Sequence, residues 1–112
     1  MGDSYGNGGP PPQTIASAGS SQSDGTALVG GTMNNVTGAD GTKGVVLPVG
    51  VAGDFIEVYN AVATNGLKIY PGTSGTINGG SANAAITIEG KTHAYFRNVD
   101  GTNWAAIYTV NT

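Results

Sequence analysis

The chain has 112 residues, of which 20 are glycine and only 10% are charged, and seven acidic and four basic residues give a net charge of −3. This length supports one domain with a modest core, and the charged fraction is far below the roughly 25% of average globular domains. The scattered cations argue against a nucleic-acid partner, the lack of a long apolar run argues against a membrane span, and the lack of cysteine excludes disulfides and zinc–thiolate sites.

Small neutral residues, mainly glycine, threonine, asparagine, serine and alanine, take the place of charged ones. Another protein can cover such a surface without desolvating many charges, so the composition favours a contact surface. The first residues lack the basic and apolar regions of a secretory signal, and we therefore expect synthesis in the cytoplasm.

Residues 1–12 differ from the rest of the chain. Glycines are followed by Pro10, Pro11 and Pro12, which favour a short polyproline II rod because proline fixes φ and has no amide hydrogen. The segment predicts an extended arm attached to a single β domain that spans residues 13–112. Tyr5 has no local core to pack into, so we expect it to anchor the arm on a partner. The alternative is an unstructured tail, for which this composition is typical.

From residue 13 onward the sequence has the two-residue alternation of β-strands. Residues 14–17 and 26–29 are predicted to form a first pair, and 30–43, with four glycines, a long loop. Residues 54–60 are the clearest strand, since Ile56 and Val58 flank Glu57 in a half-buried pattern.

Two dipeptides predict tight hairpins. Asn65-Gly66 suits a type I′ turn, in which both central residues take positive φ, and would join residues 54–60 to a return strand at 67–71. Asp100-Gly101 would join a strand at 92–98 to the last one at 104–110. Further short strands are predicted at 44–48 and 85–89.

Seven or eight short strands joined by glycine-rich turns predict an all-β fold, either a small antiparallel sandwich or a jelly-roll-like barrel. No eleven-residue window carries a helical stripe. The predicted core consists of large apolar residues at alternating positions: Ile15, Leu28, Val46, Phe55 or Ile56, Val58, Leu67, Ile69, Ile77, Ile86, Ile88, Tyr95, Trp104 and Ile107.

Catalytic chemistry has little support in the sequence. His93 is the only histidine and lies inside a predicted strand, where an orienting carboxylate from Glu89 or Asp54 would be accidental. We therefore predict a sheet-surface histidine, no catalytic residues and no enzymatic activity.

Metal and cofactor sites are also not predicted. The acidic residues do not have the spacing of a calcium-binding loop, no histidine pair exists, and the glycine groups lack the pattern of a phosphate-binding loop. Asp24, Asp40 and Asp100 each precede glycine and are predicted to be turn residues. A calcium ion held by loop carbonyls stays open.

The aromatic residues allow two interpretations. They could form a sugar-binding platform, but such side chains more often close a small core or a subunit interface. The residues concerned are Tyr59, Tyr70, Tyr95, Phe96, Trp104 and Tyr108.

Residues 66–71, followed by 76–79, 84–88 and Trp104, resemble small virion-associated proteins of tailed bacteriophages. Those proteins carry a strand that ends in Tyr-Pro, a glycine-rich turn into Ile-Asn, an alternating strand and a tryptophan near the C-terminus. The likeness covers roughly residues 54–108. It implies a small β domain, commonly trimeric, that decorates capsids or forms fibre parts, and it brings no catalytic residues.

We therefore expect a capsid decoration or cement protein on the capsid surface of the virion, a homotrimer that binds the major capsid protein and bridges its subunits. The alternative is a head-fibre or tail receptor-binding module whose loops at 30–43 and 72–83 contact host glycans. The predicted capsid contacts are Tyr5, Pro10, Pro11 and Pro12 in the arm and Asn34, Asn35, Thr73 and Asn78 in the loops.

Overall fold

The computed structural model describes residues 11–109, so Tyr5 and Pro10 of the predicted arm lie outside it. Within this range the fold is all-β, with two sheets and no helix, which confirms the predicted class and leaves no helix that could span a bilayer. The strands are β1 (Gln13–Ala16), β2 (Thr26–Ala27), β3 (Met33–Thr37), β4 (Gly44–Val46), β5 (Phe55–Asn60), β6 (Leu67–Tyr70), β7 (Thr76–Ile77), β8 (Ile86–Ile88), β9 (His93–Asn98) and β10 (Asn103–Tyr108).

The first six strands alternate between the two sheets. The large sheet has the order β1-β3-β5-β9-β10-β7 and the small sheet the order β2-β4-β6-β8. Thr26 pairs in parallel with Val45, and Val45 with Ile69, so each coil takes roughly 20 residues, as in solenoid repeats. The strands thus stack like a solenoid, and the predicted antiparallel sandwich or jelly-roll barrel is wrong. The predicted first pair is wrong for the same reason, since β1 and β2 belong to different sheets.

The Asn65-Gly66 dipeptide forms a corner and not the predicted hairpin. It carries the chain from β5 in the large sheet to β6 in the small sheet, and neither residue has positive φ. The buried side chain of Asn60 holds this corner, because its Nδ2 donates to the carbonyls of Asn65 (2.8 Å) and Glu89 (3.2 Å). A side-chain amide therefore supplies the hydrogen bonds that a hairpin ladder would have made.

Asn34 has the same role in the preceding coil. It lies on β3, inside the segment that was predicted to be a long loop, and its side chain is buried. Its Oδ1 accepts from the amide of Val29 (2.9 Å), and its Nδ2 donates to the carbonyls of Val29 (2.9 Å) and Glu57 (3.1 Å). Asn34 is thus a structural residue, and its prediction as a surface contact is wrong.

The C-terminal half of the chain is mainly antiparallel. Strand β9 pairs with β5 on one side and β10 on the other, and the predicted hairpin at Asp100-Gly101 is confirmed, with Gly101 at a φ of +108°. Strand β8 pairs antiparallel with β6 in the small sheet. The chain makes another corner at residues 89–91, because β8 and β9 lie in different sheets.

The core lies between the two sheets. Phe96 and Trp104 fill the part of the core that β9 and β10 supply. Tyr95 and Ile107 were predicted to be buried, but they have the opposite phase on these strands and point to solvent. Side chains alternate along a strand, and a one-residue error in phase moves a whole set to the opposite face. The buried apolar residues are Leu28, Val36, Ala39, Val45, Leu47, Ile56, Val58, Leu67, Ile69, Tyr70, Ile77, Ile88, Ala94, Phe96 and Trp104.

Candidate functional site

The outward side of the large sheet is the candidate site, and we call it the outer face. Its side chains alternate with the buried residues of the same strands, which is why one strand supplies both the core and this surface. Its members on β3, β5, β9 and β10 are Met33, Asn35, Thr37, Phe55, Glu57, Tyr59, His93, Tyr95, Arg97, Asn103, Ala105 and Ile107.

The pairing register arranges these side chains in rows across the strands. Tyr59 stands opposite His93 in the first row, and Glu57 stands opposite Tyr95 in the second, which continues to Ile107. The third row joins Phe55 and Arg97, and continues to Ala105. Directly opposed side chains in a sheet are close enough to touch, so each row is a continuous strip.

The outer face is unusually apolar for a solvent-facing sheet. Phe55, Tyr95 and Ile107 are 37%, 45% and 75% exposed. They border a shallow recess, to which Ala105 also contributes a small side chain. Contiguous apolar patches on a soluble domain mark sites of interaction with other molecules. The recess and its rim therefore form the region of the face best suited to contact.

Charge on the outer face is sparse. Arg97 is exposed, and its Nη1 donates to the carbonyl of Gly53 (3.4 Å), which leaves its other N–H groups free to act as donors. Glu57 Oε2 lies 3.6 Å from His93 Nε2. Tyr95 is thus flanked by the carboxylate of Glu57 on one side and by the permanent positive charge of Arg97 on another.

His93 lies among aromatic rings. Its ring centroid is 4.7 Å from that of Tyr59, with planes inclined by 38°, and 6.0 Å from that of Tyr95, nearly parallel at 9°. The carboxylates considered from the sequence do not reach it: Asp54, at the opposite end of β5, accepts from the amide of Val51 (2.8 Å), and Glu89 belongs to a corner of the small sheet. The carboxylate that lies beside His93 is that of Glu57, in the adjacent row.

The predicted aromatic platform is only partly assembled. Of the six aromatic residues considered, Tyr59 and Tyr95 lie on the outer face. Phe96, Trp104 and Tyr70 are buried in the core, and Tyr108 packs against it. The Nε1 of Trp104 is buried without a hydrogen-bond partner among residues 11–109.

The three aspartates that precede glycine lie in turns, as predicted. Asp40 Oδ1 accepts from the amide (2.9 Å) and hydroxyl (2.8 Å) of Thr42 and the amide of Lys43 (3.0 Å), which lowers its pKa to about 2. The amide of Ser21 is the main cause that lowers the pKa of Asp24, and the side chain of Asn103 does the same for Asp100. Residues 11–109 contain no group of three or more metal-ligating side chains.

The other predicted contact residues are spread over the molecule. Thr73 is exposed in a turn, and Asn35 is half-buried on the outer face beside Tyr59. Asn78 is exposed, but its side chain pairs with the backbone of Ala106 through bonds of 2.8 and 3.1 Å, so it extends the sheet like an extra strand residue. Thr73, Asn35 and Asn78 do not form one surface patch with each other.

Two arm residues lie inside the described range. Pro11 and Pro12 are exposed, and the carbonyl of Pro11 accepts from the hydroxyl of Thr32 (3.0 Å). They lead directly into β1, the edge strand of the large sheet. Pro11 and Pro12 therefore lie at the edge of the large sheet.

Sequence reasoning missed the apolar character of the outer face, although a signal for it exists. His93, Tyr95 and Arg97 share one phase of β9, and Phe55, Glu57 and Tyr59 share one phase of β5. A charged residue in the phase indicates the solvent side, since isolated charges are rarely buried. Arg97 and Glu57 could thus have placed Tyr95 and Phe55 outside.

A scan against protein-family models finds no family that matches the chain. A search of curated protein sequences also finds no match. What the chain does is therefore inferred from its own residues and geometry.

Proposed function

We propose that the chain is a structural virion protein, a decoration or cement protein that binds the outer surface of a tailed-phage capsid and bridges capsid subunits. The observation that carries this proposal is the outer face, where Phe55, Tyr95 and Ile107 are exposed on a hydrogen-bonded sheet. A cement protein needs adhesive surface and no reaction centre. The proposal assigns no catalytic residue, metal or cofactor.

The physical basis is burial on a preorganised surface. Burying a large apolar side chain yields about 1.5–3 kcal/mol, and side chains that stand on a paired sheet lose little conformational freedom on docking. Few charges have to be desolvated, because Glu57 and Arg97 are the only charged residues that we assign to this face, apart from His93 when it is protonated. Each contact is weak, but many copies on a capsid lattice bind with high avidity.

The arm supplies the second contact in this proposal. Pro11 and Pro12 adjoin the edge strand β1, so residues 1–12 would reach over a neighbouring capsid subunit while the domain rests on the lattice. Prolines in this segment lower the entropy lost on docking.

The experiment is a binding assay with capsids of the phage whose genome encodes the chain. Mass spectrometry of purified virions should detect the chain, and the purified protein should co-sediment with capsids from which it has been removed. Deletion of residues 1–12 should abolish most of this binding. Absence from virions contradicts the proposal, and full occupancy by the truncated protein contradicts the role of the arm.

The second candidate function is glycan binding by a head-fibre or receptor-binding module. It is favoured by the cluster of Tyr59, His93 and Tyr95, in which the ring centroid of His93 lies 4.7 Å from that of Tyr59 and 6.0 Å from that of Tyr95, with Glu57 beside it. Exposed rings beside a carboxylate suit the apolar face and hydroxyl groups of a sugar. Glycan-array binding that survives deletion of residues 1–12 and is lost in Tyr59→Ala supports this function over decoration.

A further inference from the structure

Four residues at the centre of the outer face form a nearly rectangular array. Phe55 stands opposite Arg97, and Glu57 stands opposite Tyr95, in adjacent rows of β5 and β9. One diagonal therefore joins the two rings, Phe55 and Tyr95, and the other joins the two opposite charges, Glu57 and Arg97.

We infer that this array binds a second copy of the same chain, and the inference rests on the assembly role proposed above. Two copies would meet face to face about a two-fold axis that runs along the diagonal from Phe55 to Tyr95. Each ring on the axis then meets its own equivalent, while Glu57 of each copy meets Arg97 of the other. A two-fold interface requires such self-complementarity.

The dimensions of a sheet allow this arrangement. Neighbouring strands are about 4.8 Å apart and alternate residues of a strand about 7 Å, so the diagonal lies roughly 35° from the strand direction. The strands of the two copies would cross at about 70°, close to the orthogonal mode of sheet packing. Glu57 and Arg97 would approach within about 3 Å in the plane, which their long side chains can span.

Other two-fold axes in the face are less favourable. An axis along the strands would place Glu57 over Tyr95 of the other copy, and an axis along the rows would place Glu57 over Phe55. In both cases the carboxylate faces a ring whose surface is itself negative. The axis through the rings is the one that satisfies both charges.

Charge also favours a second copy as the occupant. The chain has a net charge of −3, so two copies repel each other in general. At the outer face the charge of Glu57 is balanced by that of Arg97, so the repulsion between two copies is low there.

The two-fold axis through Phe55 and Tyr95 also brings Ile107 of one copy onto the Tyr59 and His93 rings of the other.

The contact should be weak. Four strands about 4.8 Å apart and three rows about 7 Å apart make a face below the roughly 800 Å² per partner of stable complexes. We therefore expect a reversible dimer of free chains at high concentration, which dissociates when the outer face binds the capsid.

The test is sedimentation equilibrium of the full chain at millimolar concentration, without capsids. Wild type should give the mass of two chains, whereas E57R alone and R97E alone should give the mass of one, because each places like charges together. An equimolar mixture of E57R and R97E should give two chains again, since every contact then joins an arginine and a glutamate. Lys43→Glu, an equal change of charge on an exposed corner residue, should leave the dimer unchanged.

Each other outcome overturns the inference. A wild-type mass of one chain excludes the dimer, and a mass of three chains supports the homotrimer that the phage resemblance implies. A mixture that stays monomeric excludes the contact between Glu57 and Arg97. The proposed function fails separately: a chain that dimerises through this face but is absent from virions is not a decoration protein.

Discussion

Tyr95 and Phe96 are neighbours on β9 and point to opposite sides of the large sheet, so Phe96 is fully buried while Tyr95 is 45% exposed. The same division holds in β5, where Ile56 is buried and Phe55 is 37% exposed. These strands carry large apolar side chains on both faces. The core requires only the inner set, which leaves the outer set for contact with another molecule.

Substitution of these two neighbours should separate stability from association. Phe96→Ala should lower the free energy of unfolding by about 3–5 kcal/mol, because it removes a fully buried ring. Tyr95→Ala should lower it by less than about 1 kcal/mol, since a half-exposed ring contributes little to folding. Urea denaturation followed by tryptophan fluorescence measures both. Equal losses would contradict the assignment of the inner and outer faces.

The corner role of Asn34 predicts a second pair of variants. Asn34→Ala leaves backbone groups of Val29 and Glu57 without their partners, and we expect a loss of about 2 kcal/mol or more. Asn35→Ala, next in the chain but on the outer face, should cost less than about 1 kcal/mol. Chemical denaturation of the two variants in parallel provides the comparison. A stable Asn34→Ala protein would show that the amide does not hold the corner.

Packing at Gly44 predicts a third effect. A Cβ at this position of β4 would lie 2.7 Å from the Tyr70 ring and 2.9 Å from the Lys68 carbonyl oxygen, so Gly44→Ala should lower stability by about 1–3 kcal/mol. A Cβ on Gly30 would meet no atom within 4 Å, and Gly30→Ala should be neutral or stabilise the fold by up to about 1 kcal/mol. Thermal unfolding of the two variants distinguishes their effects. A lower melting temperature for Gly30→Ala but not for Gly44→Ala would contradict the tight packing at Gly44.

The turn at Asp40 predicts a pH dependence of stability. Its pKa is lowered from 3.8 to about 2 in the folded chain, chiefly by the amide of Thr42. The contribution of this carboxylate to folding stability is therefore fully present above about pH 4, and it is lost as the pH falls through the folded pKa near 2. Asp40→Asn should lower the stability at neutral pH and flatten this fall. Unfolding curves at several pH values test it, and parallel profiles for the two proteins would count against it.

The positions of the strands were easier to predict from the sequence than the pairing of the strands within sheets. Alternation of apolar residues located β5 and β9 because the inward side chains of each strand face one continuous core. The same alternation cannot tell which of two sheets a strand joins. Asn65-Gly66 was therefore interpreted as a hairpin, although the buried amide of Asn60 turns the chain across to the small sheet.

The candidate site was harder to predict than the fold class. Tyr95 and Ile107 were assigned to the core because large apolar residues usually lie inside, but Phe96 and Trp104, in the opposite phase of the same strands, are the residues that are buried. Asn34 was taken for a loop residue because residues 30–43 contain four glycines. Its burial depends on backbone groups of Val29 and Glu57 that meet only in the folded coil.

The claim that the outer face is the adhesive surface is tested most directly by the occupancy of capsids with one charged variant. Ile107→Asp places a carboxylate in the apolar rim of the recess, and Thr87→Asp adds the same charge to an exposed position of the small sheet. With both proteins folded, co-sedimentation with stripped capsids should fall at least about tenfold for Ile107→Asp, a change of about 1.4 kcal/mol in binding, and should stay at the wild-type level for Thr87→Asp. Equal occupancy by the two variants would contradict the account.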